Sequence, residues 1–544
     1  MGIYANWLSC RWDVFVMMRC AVWLFLVLGL VGCSPRGDAL AELPLATLVP
    51  TMPTVRIQAS VPPTTPTPTR ELRSVEAATP TVTPTAPPPM VYRCGDFSDP
   101  YPVHYDLIAN VDYANKTVDV AQTIHFRNRT DETLTDLVMA IEANSVPEQF
   151  QLGQIRFNNV EMTYILDVNR LWIPLPVGLE PGCEVSVDLT FRLRVPRIGD
   201  ARIAYKGYLG YSERQINLGN WMPVMAPRMG GHWIVNDVAL IGEQTVSDQA
   251  RWTVILNVLN APDGLVMAMP GEVTQLEPHQ WRSEFDGGRD FTVSMSPFYR
   301  VLRQRAFSGV EVELYAFPDA IQTVNGMLLD GAAHALTEAT KAFQQFEALF
   351  GRYPFTRLAI VQGDFPDGME FSGLVYVSTT WFYSFRGGVR NYLTIITVHE
   401  VAHQWWYMQV GNNAALVPWL DEALSTYSEY IYYEEFYPQE RDWWWSTRVG
   451  YFDPRGKVDS TVYEFSTPRD YINAVYLRGV QMLQRLREDI GTEAFFDLLA
   501  TYAERSNGRI ATSETFWELL SPTQWEQTTR TREQFLRDPV LGRP

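Results

Sequence analysis

The chain has 544 residues, 46% hydrophobic and 19% charged, a globular composition too long for one ordinary domain. Its net charge is −18. Phosphate binding needs clustered Lys and Arg, so a nucleic-acid partner is excluded from the expected functions.

Residues 1–33 read as a targeting segment. Ala21 to Gly32 is an apolar run behind Arg19, too short for a comfortable permanent span. It ends Leu30-Val31-Gly32-Cys33, which resembles a bacterial lipoprotein signal, with Cys33 receiving lipid and becoming the mature N-terminus. The alternatives are an ordinary signal peptide or a membrane anchor. Asp13 fits a charged leader poorly, so translation is expected to start at Met17 or Met18. The implied location is the bacterial cell envelope, outside the cytoplasm and tethered to a membrane through Cys33.

Residues 34–90 form a linker. Thr and Pro fill 22 of the 43 positions from Thr47 to Pro89, a composition that buries too little apolar area to order itself. Past the linker, Cys94 and Cys183 are the only thiols. In an oxidising compartment they form a disulfide or remain two separate buried thiols.

Residues 91–305 read as an antiparallel β-sandwich domain. Val185 to Val195 alternates strictly between apolar and polar residues, and weaker alternation covers Val118–Phe126, Trp252–Val258 and Phe291–Met295. From residue 306 to 544 the pattern is α+β. Gly331 to Phe350 has helical spacing, short β-like pieces lie at 358–361 and 374–378, and helical patterns cover about 391–409, 420–436 and 474–490.

One of these helices carries His399-Glu400-Val401-Ala402-His403. Positions i and i+4 share a helix face, so both imidazoles reach one ion. Zinc takes about three protein ligands and keeps a further position open. Glu400, beside the first histidine, is placed to act as a general base. Eighteen residues intervene between His403 and Glu422, which lies in Trp419-Leu-Asp-Glu422-Ala-Leu, and a Gly/Asn/Pro-containing loop between them returns the second helix. Glu422 completes a His₂Glu set for one zinc ion. Taken alone, it would be a helix-start glutamate favourable to the macrodipole. His232, in Gly-Gly-His-Trp, reads as structural.

These motifs at this spacing resemble the aminopeptidase N and leukotriene hydrolase family of gluzincins. Asp367-Gly368-Met369-Glu370-Phe371 is similar to that family's G-x-M-E-N motif, and Tyr471 and Tyr476 to its downstream tyrosine pair. The resemblance implies a β domain followed by a thermolysin-like zinc-peptidase domain. It also implies that Gly368, Met369 and Glu370 bind substrate, with Glu370 on the free α-amino group, and that Tyr476 donates a hydrogen bond to the oxyanion. Glu429, seven residues after Glu422, is a candidate to accept from a ligand imidazole.

The chain departs from the pattern at Asp421, Asp367 and Phe371, where the family has Asn, Gly and Asn. It also ends 68 residues after Tyr476, leaving no room for the family's large C-terminal helical domain, so a more open site is expected. The implied function is a zinc aminopeptidase acting on peptides. An endopeptidase with the same machinery, a lipid-anchored binding protein on this fold and an epoxide hydrolase are the rivals.

Overall fold

The computed structural model describes residues 92–95, 98–203 and 206–542. Cys33 and the linker 34–90 lie outside the described residues. No helix among the described residues is long and apolar enough to cross a membrane.

The first domain is built on a nine-stranded sheet. Its main strands are β1 (Val103–Asp112), β2 (Thr117–Arg127), β3 (Phe150–Phe157), β4 (Cys183–Arg194), β5 (Ala250–Leu259), β6 (Glu272–Glu277) and β7 (Gln280–Gly288). They lie in the order β6-β7-β5-β1-β2-β4-β3. All neighbours are antiparallel except β5 and β1, which run parallel. The alternation in β4 has its expected cause. Val185, Val187, Leu189, Phe191 and Leu193 are buried, and their polar neighbours face outward. Two four-stranded sheets cover the buried face. Cys94 pairs with Cys183 across the edge of β4, and the two are joined by a disulfide.

A second, five-stranded sheet contains β8 (Arg300–Arg305), β9 (Glu311–Ala316), β10 (Arg357–Gly363), β11 (Gly368–Phe371) and β12 (Leu374–Ser378). Its order is β8-β9-β10-β12-β11. The expected domain break between 305 and 306 therefore falls inside a hairpin. Ala306 N donates to Val310 O at 2.9 Å and closes the β8–β9 turn, so the second domain begins near residue 300.

Past its edge strand β8, this sheet is buried on both faces, and alternation decides what each face meets. Leu358, Ile360, Val375 and Val377 pack with the helices. Ala359, Val361, Leu374 and Tyr376 join the core of the first domain. The helices that matter for the site are α1 (Gly331–Phe350), α2 (Tyr392–Ala402), α3 (Trp419–Phe436) and α4 (Arg478–Ile490).

Helix α2 is shorter than its apolar pattern implies. Regular winding stops at Ala402, and the next turn widens, with Met408 N bonding to His403 O at 3.0 Å. Such local widening recurs at functional positions in helices.

Candidate metal centre

Helix α2 supplies His399, Glu400 and His403, and α3 supplies Glu422. Asn391 caps α2, accepting from Thr394 N at 2.9 Å. Helix α3 opens on Pro418, and Asp421 stands in its first turn, where the Asp421 carboxylate accepts from Glu422 N at 2.8 Å. Asp421 is buried, so the position where the resembled family has Asn serves the start of the ligand helix.

The three donor atoms converge. His399 Nε2 and His403 Nε2 are 3.1 Å apart, and Glu422 Oε2 is 3.2 Å from the first and 3.5 Å from the second. A tetrahedral ion with bonds of roughly 2.0–2.1 Å has edges of roughly 3.3 Å, so the triangle fits zinc. The outer nitrogens agree. His403 Nδ1 lies 3.0 Å from the Trp406 carbonyl, which the widened turn after α2 presents to it. His399 Nδ1 lies 2.9 Å from Glu429 Oε1. A proton on each Nδ1 leaves each Nε2 free to ligate.

Glu429 is itself held tightly. Arg448 donates to both of its oxygens at 3.0 Å, and Trp444 Nε1 adds a bond at 3.2 Å. Burial pushes the Glu429 carboxyl up, but Arg448 and His399 outweigh that and keep it below the usual carboxylate range. Arg448 carries no signal in the sequence, because its partner lies 19 residues away on another element.

A cavity of about 320 Å³ opens beside the donors. Its walls include Gly368, Met369, Glu370, Glu400, Tyr471, Tyr476, Arg448 and Glu243. Tyr476 lines the cavity with Glu422, and its ring lies parallel to that of His399, with centroids 5.9 Å apart. Glu400 is 4% exposed, and its Oε2 has no protein hydrogen-bond partner among the described residues.

Strand β11 forms one wall. Gly368 and Glu370 share the face toward the cavity, while Phe371 points into the core of the first domain and is fully buried. There its ring meets Tyr208 edge-on at 5.6 Å, and a Cβ on Gly219 would come within 2.6 Å of it. Phe371 thus packs an interface and leaves the cavity face unchanged. The bend after it is clamped from both domains. Asp290 accepts from Ser372 N and Ser372 Oγ at 3.1 and 3.0 Å and from Tyr407 OH at 2.7 Å. Gln404, next to His403, accepts from Gly373 N at 2.9 Å and donates to Phe371 O at 3.0 Å.

Sequence reasoning missed Glu243. It comes from the first domain and reaches the cavity because Gly242 turns there at φ +72°, close against Tyr471. Carboxylate oxygens of Glu243, Glu370 and Glu422 lie within 4.8 Å of one another. Burial first, then the Glu243 and Glu422 charges, push the Glu370 carboxyl far above its ordinary range. Burial and Glu422 raise Glu243 in the same way. Lys206, whose charge acts on Glu243, is held by Glu142 at 3.4 Å and Gln244 at 3.3 Å. His232 lies exposed in a short hairpin, outside the cavity lining.

A β domain set against an α+β domain, with a His₂Glu donor triangle in the cleft, defines a gluzincin-type zinc centre. Residues 334–535 match the peptidase family M1 domain, so the chain carries such a domain. Among curated relatives, it is 25% identical over 233 residues to aminopeptidase M1-D of Oryza sativa subsp. japonica, covering 38% of this chain and 26% of that one. It is 26% identical over 231 residues to human endoplasmic reticulum aminopeptidase 2, covering 39% and 23%. The chain thus spans about a quarter of the length of these relatives. The fold matches an M1 zinc metallopeptidase of Deinococcus radiodurans, with a TM-score of 0.57, 18% identity, and 81% of this chain and 96% of that one covered.

Proposed function

We propose that the protein is a zinc-dependent aminopeptidase that releases N-terminal residues from peptides. The observation that carries this is the group of three carboxylates, half-buried Glu243 and buried Glu370 and Glu422, at one end of a cavity that also holds Glu400. With Glu422 given to the metal, the crowded Glu243 and Glu370 beside it favour a bound ammonium, and a substrate's free α-amino group supplies one. The backbone of an internal peptide segment has no such charge to offer.

When bound, zinc supplies Lewis-acid polarisation and a lowered water pKa. The remaining roles belong to the chain's own side chains. Glu400 takes a proton from the attacking water and passes it to the leaving amine. Tyr476 donates its phenol hydrogen bond to the developing oxyanion. Glu370 and Glu243 hold the ammonium and fix the distance from the N-terminus to the cleaved bond.

The test compares free-amine and N-acetylated forms of one peptide on the zinc-loaded protein. The free form is expected to be cleaved and the blocked form spared. Equal cleavage would replace this reading with an endopeptidase on the same site. Glu400→Gln is expected to retain zinc and lose about 100-fold or more in turnover. Full activity with zinc bound would remove Glu400 from its role.

The protein is further proposed to work outside the cytoplasm, anchored through lipid on Cys33. The Leu30-Val-Gly-Cys33 stretch and the Thr/Pro-rich segment after it support this. Mass spectrometry of the mature N-terminus tests it, and an unmodified or uncleaved Cys33 would count against it.

A further inference from the structure

Strand β11 runs along the cavity like a ruler. Glu370 marks the amine end. Gly368, two residues earlier on the same face, touches the general base, since a Cβ there would sit 2.1 Å from Glu400 Oε1. Two residues of extended chain span about 6.6 Å. The next residue back, Asp367, therefore lies beyond the level of bond cleavage, on the leaving-group side.

Asp367 lines the cavity and is exposed. Its backbone adopts φ +61°, and its carbonyl accepts from Ser378 N at 2.8 Å, which fixes the turn. Among the described residues, its carboxylate takes part in no hydrogen bond and no close ion pair. The two guanidiniums that influence it are engaged elsewhere. Arg448 is bound through Glu429, and Arg469 lies over the Phe452 ring, 4.1 Å from its centroid.

We infer that Asp367 is a specificity-determining residue that favours a cationic side chain, lysine or arginine, on the residue just after the scissile bond, and disfavours an acidic one there. The inference rests on the aminopeptidase reading above. An exposed carboxylate attracts modestly and is screened by salt, so the effect is a bias of a few fold.

The test measures kcat/KM on Ala-Lys-Ala, Ala-Glu-Ala and Ala-Ala-Ala, with Lys-Ala-Ala and Glu-Ala-Ala as positional controls. Asp367→Asn removes the charge and keeps a residue type that tolerates the left-handed backbone. The native protein is expected to prefer lysine over glutamate at the second position by about three- to fivefold. That ratio should shrink toward one in Asp367→Asn and at high salt. An unchanged ratio in Asp367→Asn, or a change confined to the first position, would overturn the assignment. No turnover of Ala-Ala-Ala by the native protein would instead overturn the aminopeptidase reading.

Discussion

His399 and Glu429 are joined at 2.9 Å, and Glu429 stands two helical turns beyond the ligand Glu422 on the same face of α3. One helix thus supplies both a ligand and the support of another ligand. Arg448 fixes that support by bonding both Glu429 oxygens.

Glu429→Gln is expected to weaken zinc binding by about 10- to 100-fold, because the amide holds the His399 Nδ1 proton less strongly and leaves Arg448 partly unpaired. Competition with a chelator of known affinity measures this. Unaltered affinity would make Glu429 a packing residue.

Gly368→Ala places a methyl 2.1 Å from Glu400 Oε1. The obstructed atom ends a flexible side chain, so the base moves and the fold survives. Turnover is expected to fall by about tenfold or more with zinc content unchanged. Metal analysis beside steady-state kinetics separates this from general damage.

Asp290 holds the bend after Glu370 from the other domain. Asp290→Asn is expected to raise KM for free-amine peptides by about three- to tenfold, with a smaller change in kcat, as the amine anchor loosens. A fall in kcat alone would contradict this arrangement.

On the outer face of the large sheet, Asp106 bridges His104 and His125, each at 3.2 Å. The hydrogen bond to Asp106 is the main cause holding the His125 imidazole above its ordinary value of 6.5. A raised imidazole contributes stability that is fully present below 6.5 and is lost as pH rises through its folded value. Asp106→Asn should therefore lower the urea midpoint more at about pH 5.5 than at about pH 8.5. Equal shifts at both would remove the linkage.

The metal centre was legible in the sequence because its geometry is local. Helical periodicity puts His399, Glu400 and His403 on one turn, and a short return loop brings Glu422 beside them. The alternation of β4 was legible for the same reason. Glu243, Asp290 and Arg448 were not, since each reaches the site from a separate segment and has no periodic relation to its partners. Phe371 departs from the family pattern and is a core residue, because strand alternation turns it away from the cavity while keeping Glu370 in it. The domain break also moved, since pairing with β9 outweighed the change of pattern near residue 305. The sequence by itself determined that His399, His403 and Glu422 converge with Glu400 beside them, through contacts within a helix or between consecutive helices. Only the tertiary structure decided what surrounds them, because packing two domains face to face brings together carboxylates that lie more than a hundred residues apart in the chain.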